Sequence, residues 1–322
     1  MKITRAGLLL FFFIISQNAF SQQDTLVKKL DSLSHKADSA NNQVNNTNEK
    51  AYNNQTDLTF KTYFILLASD FKQAFTKPLH MDKKDFGKLG ILAGGTALLF
   101  FADESVQQEA LRFRNKNPGV IKVGKYITNF GGRYETYTLA ALGTYGFVFK
   151  NHKLANTTLL ATQSYITGGV IEAVAKFLSG RTRPNYYDEN TEAEPRFMGP
   201  FGNTSRDYNG GRSNSSFPSG HATVAFAAAT VFAMEYKNTI WVPIVSYSAA
   251  SLIAASRITE NKHWLTDIVV GSILGHYTGK LIVNNYHRYA KIKAPRQAKN
   301  SVSFQMQYNV DHIEPGIAYK FR

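Results

Sequence analysis

Cysteine is absent from the chain of 322 residues, and its absence excludes several kinds of chemistry. Disulfide bonds, thiolate metal sites and thiol nucleophiles all require cysteine. The fold must therefore be stabilised by packing. Any nucleophile or metal ligand must come from another residue type.

Long apolar runs are also scarce. Only residues 154–171 and 238–256 approach the ~20 uncharged residues that a membrane-spanning helix requires. Both runs contain Ser, Thr or Tyr, and the mean hydropathy of the chain is −0.26. The sequence predicts association with a membrane, but it leaves open whether the helices span the bilayer or lie on its surface.

Acidic residues are outnumbered, with 23 Asp and Glu against 37 Lys and Arg, so that the formal net charge is +14. A basic excess suits anionic partners such as lipid head groups, phosphorylated substrates or nucleic acid. A solvated basic surface without a specific partner is the alternative interpretation.

The first residues, 1–21, have the pattern of a signal peptide for export. Lys2 and Arg5 precede an uncharged run, and the small Ala19 and Ser21 are placed for cleavage after residue 21. A permanent signal anchor is the alternative, but the uncharged run is shorter than the ~20 residues of a spanning helix. We therefore predict an exported protein of a bacterial-type cell envelope, and export makes nucleic acid the least expected partner.

The chain is polar at both ends. Residues 22–55 are rich in Asn, Gln, Ser, Asp and Lys and are predicted to be a disordered tether, which allows one short helix at 26–33. Residues 291–322 are predicted to be a basic tail in which apolar and polar residues alternate. The alternation predicts a β-hairpin with its turn near 311–316, packed against the rest of the domain.

Residues 56–290 are predicted to form the helical domain. We predict an all-α fold, a bundle of about six core helices, with an amphipathic surface helix at 59–75 in front of it. The candidate core helices are 89–102, 137–149, 154–178, 221–235, 239–256 and 263–286. Residues 179–217 are rich in Gly, Pro, Asn and Asp and predict a long loop that covers a functional region.

A first basic cluster lies at the end of a candidate helix, in the sequence KFLSGRTRP. Lys176 falls in the last turn, Gly180 ends the helix, and Arg183 follows just before a proline. Lys176 and Arg183 can point at one place at the helix end, which leaves Arg181 without a role. The alternative is a basic C-terminus that only complements the helix dipole.

A second cluster, in SSFPSGHATVAF, begins the next helix. Ser219, Gly220 and His221 place free backbone N–H groups and the positive end of the helix dipole together, which suits an oxyanion or a phosphate. Gly220 permits close approach of a ligand, Ser219 adds a hydroxyl donor, and His221 can donate a proton. The alternative is a turn that leads into an N-capped helix.

A third cluster, SRITENKHWLTD, combines Arg257, His263 and Asp267. If a helix begins near His263, Asp267 lies one turn later on the same face and can accept the imidazole Nδ1–H, so that Nε2 is free as a base or nucleophile. Arg257 ends the preceding helix and can return its guanidinium across a short loop. Taken alone, a His–Asp pair on a helix is more often structural.

Together the clusters contain the groups that a phosphoryl-transfer site without metal needs. Cations can hold the nonbridging oxygens, an imidazole can attack in line, and an acid can protonate the leaving group. The remaining histidines are scattered, and no two of them have HExxH spacing. We therefore predict neither a metal nor a cofactor.

These residues resemble the three-part signature of the type 2 phosphatidic acid phosphatase superfamily. The three parts match in order and spacing between residues 176 and 267. They are Lys176 with Arg183–Pro184, the run Pro218–His221, and Ser256–Arg257 with His263 and Asp267. The resemblance implies an all-helical bundle and a metal-independent phosphatase that passes through a phosphohistidine.

The resemblance also implies a role for each matched residue. His263 would be the nucleophile, Asp267 its orienting partner, and His221 the acid that protonates the leaving oxygen. The phosphate would be held by Lys176, Arg183, Arg257, Ser219 and the Gly220 amide.

Apolar helices beside the site, the amphipathic segment and the basic tail favour a lipid phosphate or diphosphate as substrate, at a membrane-associated site that faces the periplasm. Three alternatives stay open. They are a soluble periplasmic acid phosphatase, a vanadate-dependent haloperoxidase, which shares the signature, and a noncatalytic envelope protein that binds anionic lipids. The sequence specifies neither the lipid nor the oligomeric state.

Overall fold

The structure is a computed structural model that describes residues 26–34, 45–187, 192–200, 202, 213–293, 301–308 and 313–320. The predicted signal peptide, 1–21, lies outside these residues. The described part is mainly helical, which confirms the predicted fold class. Its helices are α1 Phe60–Thr76, α2 Lys83–Phe100, α3 Asp103–Lys116, α4 Gly119–Phe130, α5 Arg133–Val148, α6 His152–Ser179, α7 Gly220–Glu235, α8 Trp241–Thr259 and α9 Leu265–Lys293.

Two of these helices, α3 and α4, are missing from the sequence-based prediction. In α3 most residues are polar, and its few apolar residues form only a short stripe, which is a weak signal for an amphipathic helix. Its first turn is acidic and its last turn is basic, which stabilises it through the helix dipole. The helix after it, α4, begins with glycine and is short. The predicted count of about six core helices is therefore not confirmed.

Helix α7 lies at the centre of the bundle and contacts α6, α8 and α9. Its residues are small or apolar on all sides, as expected of a helix enclosed by others. A Cβ atom on Gly275 of α9 would lie 2.2 Å from the Thr223 carbonyl oxygen of α7. Cβ atoms on Gly271 and Gly279 would also come too close to backbone carbonyl oxygens. Glycines at this spacing let the two backbones approach closely. The close approach sets the first turns of α7 and α9 side by side.

The predicted tether contains the short helix that the sequence allowed, and this helix packs against the domain. Residues 26–34 are helical, and Leu30 and Tyr52 are buried in the main apolar cluster beside Leu66 and Tyr286. The leucines at 26–33 form an apolar stripe that the domain covers, and the burial offsets the entropy cost of ordering this segment.

Many large apolar side chains are exposed on α1, α2, α5 and α8. In the described residues α8 is long and apolar enough to cross a membrane, and α2 with α3 passes the same test only as one span with a 53° bend. The large apolar residues with the highest exposed fractions include Phe60, Leu79, Ile91, Leu98, Phe101 and Trp241. Exposed apolar surface on this scale is typical of a contact with a membrane or another protein.

Two strands follow the helices. β1 Ser301–Tyr308 and β2 Ile313–Lys320 pair antiparallel, with Phe304 opposite Ile317. The predicted turn at 311–316 is placed too late, because β2 already begins at Ile313 and Pro315 pairs with Met306. The packing of this pair against the helical domain stays a prediction.

Candidate active site

The first turn of α7 forms one side of the candidate site. Gly220 begins the helix and Ser219 caps it, which is the alternative that the sequence left open for this cluster: the Ser219 Oγ accepts from the Ala222 N–H at 3.5 Å. The Ser219 N–H donates to the Asp267 carbonyl oxygen at 3.0 Å. This bond ties the start of α7 to the start of α9.

The end of α6 faces this turn. As predicted, Lys176 lies in the last turn, and Gly180 ends the helix in the left-handed region with φ 57°. A Cβ atom on Gly220 would lie 3.4 Å from the Lys176 Nζ and 2.6 Å from the Glu172 Oε1. Glu172, which the sequence reasoning omits, forms an ion pair with Lys176. A carboxylate and an ammonium therefore both lie over the start of α7.

Arg183 extends from the loop after α6 to the loop before α9. Its guanidinium donates to the Ser215 Oγ at 3.2 Å, to the Ser215 carbonyl oxygen at 3.1 Å and to the Lys262 carbonyl oxygen at 3.3 Å. These bonds hold the arginine next to the residue that follows Lys262, which is His263.

Arg257 lies in the last turn of α8, as predicted. Its NH1 group donates to the Thr128 Oγ1 at 3.2 Å and to the Glu260 Oε2 at 2.9 Å. The contact with Thr128 joins α8 to α4, one of the helices that the sequence reasoning omits. Glu260 is a second carboxylate paired with a predicted phosphate-binding cation.

His263 and Asp267 form the predicted pair, with 3.4 Å between the His263 Nδ1 and the Asp267 Oδ2. The helix starts later than predicted, at Leu265, so His263 lies in the preceding loop. The same carboxylate oxygen accepts the Trp264 N–H at 2.9 Å, which turns the loop so that the imidazole still meets Asp267. Both side chains are buried.

His221 stands in the first turn of α7, against the turn between α4 and α5. A Cβ atom on Gly132 would lie 3.7 Å from the His221 Nε2, and one on Gly131 would lie 3.3 Å from its Cδ2. Two small residues therefore leave room for the imidazole. Nothing in the local sequence of either segment predicts this contact, because the two are far apart in the chain.

The pKa values of both imidazoles lie below the usual histidine range. Burial lowers the pKa of His221 to about 3, and three nearby cations add to the effect. Burial and the same cations lower the pKa of His263 well below its usual range. The cations are Lys176, Arg183 and Arg257. Because all three act on both rings, these predicted residues lie close to one another in the structure.

Arg181 is the main residue whose importance the sequence reasoning underrates. It is fully buried, and its NH1 group donates to the Asp267 Oδ1 at 2.5 Å while its NH2 group donates to the Asp103 Oδ2 at 2.5 Å. Its position in the sequence between Lys176 and Arg183 could have indicated that it belongs to the site. The partner Asp103 is distant in the chain and lies on a mostly polar helix that the sequence-based prediction lacks.

No group of three or more His, Cys, Asp or Glu residues is arranged to hold a metal ion in the part of the chain that the structure describes. The site instead combines two imidazoles, buried carboxylates and cations around the start of a helix. Such a set can bind a phosphate and exchange protons with it.

Residues 157–291 match the profile of the PAP2 superfamily. The chain is similar to the Lipid A 1-phosphatase of Porphyromonas gingivalis, with 27% identity over 195 residues, which cover 59% of this chain and 36% of the relative. It is also similar to the Undecaprenyl-diphosphatase of Sulfolobus acidocaldarius, with 25% identity over 159 residues, covering 49% of this chain and 66% of the relative. The match thus spans about a third of the first relative and just under two thirds of the second.

Two solved structures resemble the fold. A transmembrane PAP2 type phosphatidylglycerolphosphate phosphatase from Bacillus subtilis has a TM-score of 0.45 and 21% identity, covering 64% of this chain and 96% of that one. LpxE of Aquifex aeolicus has a TM-score of 0.41 and 20% identity, covering 56% of this chain and 94% of that one.

Proposed function

We propose that the protein is a metal-independent phosphatase that hydrolyses a lipid phosphate or diphosphate through a phosphohistidine, starting from the match of residues 157–291 to the PAP2 superfamily. The observation that carries the proposal is the arrangement of the two histidines. His263 is paired with Asp267, and the same three cations act on both the His263 and His221 rings.

The first step forms the phosphohistidine. With the Nδ1–H directed at Asp267, the Nε2 lone pair of His263 attacks phosphorus. The bond between phosphorus and the leaving oxygen breaks, and protonated His221 gives its proton to that oxygen. The lipid alcohol, or the shorter phosphate ester in the case of a diphosphate, is then free to leave.

The second step frees His263 from the phosphoryl group. Neutral His221 takes a proton from water, and the water oxygen attacks the phosphorus bound to His263. The phosphorus–nitrogen bond breaks, inorganic phosphate is released, and His221 is again protonated. Both steps place charge on the nonbridging oxygens, where Lys176, Arg183 and the Gly220 amide can bind it.

The low pKa of His221 is compatible with its role as an acid. Burial and the cations keep the ring neutral when no anion is present. A bound phosphate offsets the charge of those cations and favours the imidazolium, so its arrival raises the pKa of His221. The acid is therefore formed when substrate binds.

Several features support a lipid as substrate. The two curated relatives carry the names Lipid A 1-phosphatase and Undecaprenyl-diphosphatase. An open groove of about 600 Å³ lies between α4 and α8 and is lined largely by apolar residues such as Val123, Ile127 and Leu252. Ser256 lines this groove and contacts Thr128, to which Arg257 donates. An acyl or prenyl chain in the groove would thus begin beside a phosphate-binding arginine.

We place the enzyme at the cell envelope, exported and membrane-associated, with its site toward the periplasm. The exposed apolar side chains and the length of α8 support contact with a bilayer. The signal-like residues at 1–21 support export.

The proposal is tested with the full chain purified in detergent. Phosphate release from phosphatidate, phosphatidylglycerol phosphate, a polyprenyl diphosphate and lipid A phosphate is measured in EDTA, beside a soluble aryl phosphate. We expect turnover of at least one lipid, and a labelled, acid-labile phosphoenzyme after rapid quenching that His263→Ala lacks. Turnover of the aryl phosphate alone would indicate a soluble acid phosphatase. Bromide oxidation with peroxide and vanadate, without phosphate release, would indicate a haloperoxidase.

The control separates catalysis from adsorption. A noncatalytic lipid-binding protein would bind anionic vesicles equally well with and without His263→Ala and would release no phosphate in either form. Unchanged turnover in His263→Ala would overturn the assignment of the nucleophile.

A further inference from the structure

We propose that Arg181 and Asp103 form a positioning pair that holds Asp267 in the orientation in which it pairs with His263. This inference rests on the proposed phosphatase function. Neither residue touches the phosphate site directly, so both act through Asp267.

The three side chains form a continuous buried line. One end of the Arg181 guanidinium donates to Asp267 and the other end donates to Asp103, each at 2.5 Å, and all three side chains are 0% exposed. Charge-assisted bonds to a guanidinium have a fixed geometry, because the group is planar. The carboxylate of Asp267 therefore cannot rotate without breaking a buried ion pair.

Asp103 also accepts hydrogen bonds from Thr266, the residue before Asp267. Its Oδ1 accepts the Thr266 N–H at 2.9 Å, and its Oδ2 accepts the Thr266 hydroxyl at 2.6 Å. Arg181 donates to the same hydroxyl at 2.6 Å. The residue directly before Asp267 is thus held at both main chain and side chain, which fixes the first turn of α9 as well as the carboxylate.

The other oxygen of Asp267, Oδ2, is the one that contacts the groups on the side of the site. The Ser216 hydroxyl donates to the Oδ2 at 2.5 Å, and the Trp264 N–H donates to the same oxygen at 2.9 Å. The His263 Nδ1 lies 3.4 Å from it. With the Oδ1 committed to Arg181, the Oδ2 is the oxygen left for His263. Loss of Arg181 would free the carboxylate to turn and leave a buried charge without its cation.

The guanidinium itself is held in place by aromatic rings. The rings of Phe100 and Phe197 each lie 5.0 Å from the Arg181 Cζ, and the Trp264 ring lies 5.6 Å away. Phe100 ends α2 and Asp103 begins α3, across a bend of 53°. The bend therefore brings both an ion-pair partner and a stacking ring to Arg181, which gives the polar helix α3 a function.

Asp103 also preserves the charge that Asp267 brings to His263. It neutralises Arg181, so the three side chains together keep a net negative charge beside His263. A phosphohistidine ring that keeps its Nδ1–H is cationic, so this charge stabilises the intermediate.

The test uses Asp103→Asn in the full chain, with Asp85→Asn on the surface of α2 as the matched control. We expect kcat on the lipid phosphate to fall about 10- to 100-fold, by analogy with the loss of partners that orient metal-binding histidines. The KM and the inhibition constant for vanadate should stay within about twofold, because the cations that bind phosphate are untouched. An unchanged kcat, or an equal loss of vanadate affinity, would overturn the inference.

A double-mutant cycle distinguishes positioning from general damage. In the Asp267→Asn background, Asp103→Asn should have little further effect on kcat, because the two residues act in one chain of contacts. Additive losses would contradict the proposal. If Asp103→Asn does not fold, Thr266→Val takes its place in the same cycle, because it removes the hydroxyl that donates to Asp103 and accepts from Arg181.

The two proposals fail in different ways. If the wild-type protein releases no phosphate from any ester, the proposed function is wrong. The positioning pair is then judged by NMR: ring-nitrogen shifts should report the Nδ1–H tautomer of His263 in the wild type and a mixture in Asp103→Asn. Identical tautomers in both proteins would overturn the pair itself.

Discussion

Glu172 and Lys176 form an ion pair directly over Gly220, the first residue of α7. The Glu172 carboxylate thus lies where the proposed phosphate would meet the start of α7. It also neutralises Lys176, one of the cations that would bind the phosphate. Arg257 is paired in the same way with Glu260. A site built only to hold phosphate as tightly as possible would lack these carboxylates, so we expect them to weaken the binding of the product.

A first prediction follows for Glu172→Gln. Removal of the carboxylate charge should strengthen inhibition by inorganic phosphate roughly tenfold, which corresponds to about 1.4 kcal/mol. The kcat should fall if phosphate release limits turnover. Product inhibition measured by steady-state kinetics checks both effects. Glu109→Gln, which removes an exposed partner of Arg112, is the control; an unchanged inhibition constant in Glu172→Gln would show that the ion pair does not oppose binding.

A second prediction concerns the protonation of His221. Its pKa of about 3 in the empty site leaves the ring neutral at pH 6, and a bound anion raises that pKa. Binding of phosphate or vanadate at this pH should therefore take up a proton. Calorimetric titration in two buffers with different ionisation enthalpies measures the uptake. It should disappear in His221→Gln, and equal uptake in both proteins would place the titrating group elsewhere.

A third prediction concerns stability in acid. The pKa of His221 is lower in the folded than in the unfolded chain, so the unfolded state binds more protons once the pH falls below the ordinary histidine value of about 6.5. The free energy of unfolding should decrease as pH falls from about 6.5 toward 3. Denaturant unfolding across this window measures the slope, which should be smaller in His221→Gln. A slope that the substitution leaves unchanged would contradict the assignment.

A fourth prediction concerns the contact between α7 and α9. In Gly275→Ala the new methyl group would lie 2.2 Å from a backbone oxygen, so the helices must separate, at a cost of about 1–3 kcal/mol or more. Activity should fall with stability, because the same contact aligns Ser219 with Asp267. Gly169→Ala on α6 is the matched control. It meets no atom within 4 Å and should stabilise the helix by about 0.5–1 kcal/mol.

A fifth prediction concerns the membrane. If the exposed apolar side chains of α8 contact the bilayer core, the protein should stay in the membrane fraction after washing with high salt and with alkaline carbonate. Detergent should then release it. Release by salt alone would indicate that the basic surface, and not the apolar one, holds it to anionic lipids.

Local sequence patterns were sufficient for much of the helical framework and for the proposed reacting groups. The cap at Ser219, the left-handed end at Gly180 and the spacing from His263 to Asp267 depend on neighbours in the chain, and the structure has all three. Predictions failed where the pattern was weak or the partner distant. Helix α3 is polar, and the buried Leu30 lies in a segment whose composition resembles a disordered tether.

By itself, the sequence determined which chemical groups the site contains, because each cluster carries its own helix ends and spacing. Only the tertiary structure decided how these groups are oriented and which charges oppose them. Arg181 meets Asp103 across 78 residues, and the turn at Gly132 meets His221 across the whole of α5 and α6. Such contacts arise from packing around α7, and packing depends on the summed shape of many side chains that no local pattern encodes.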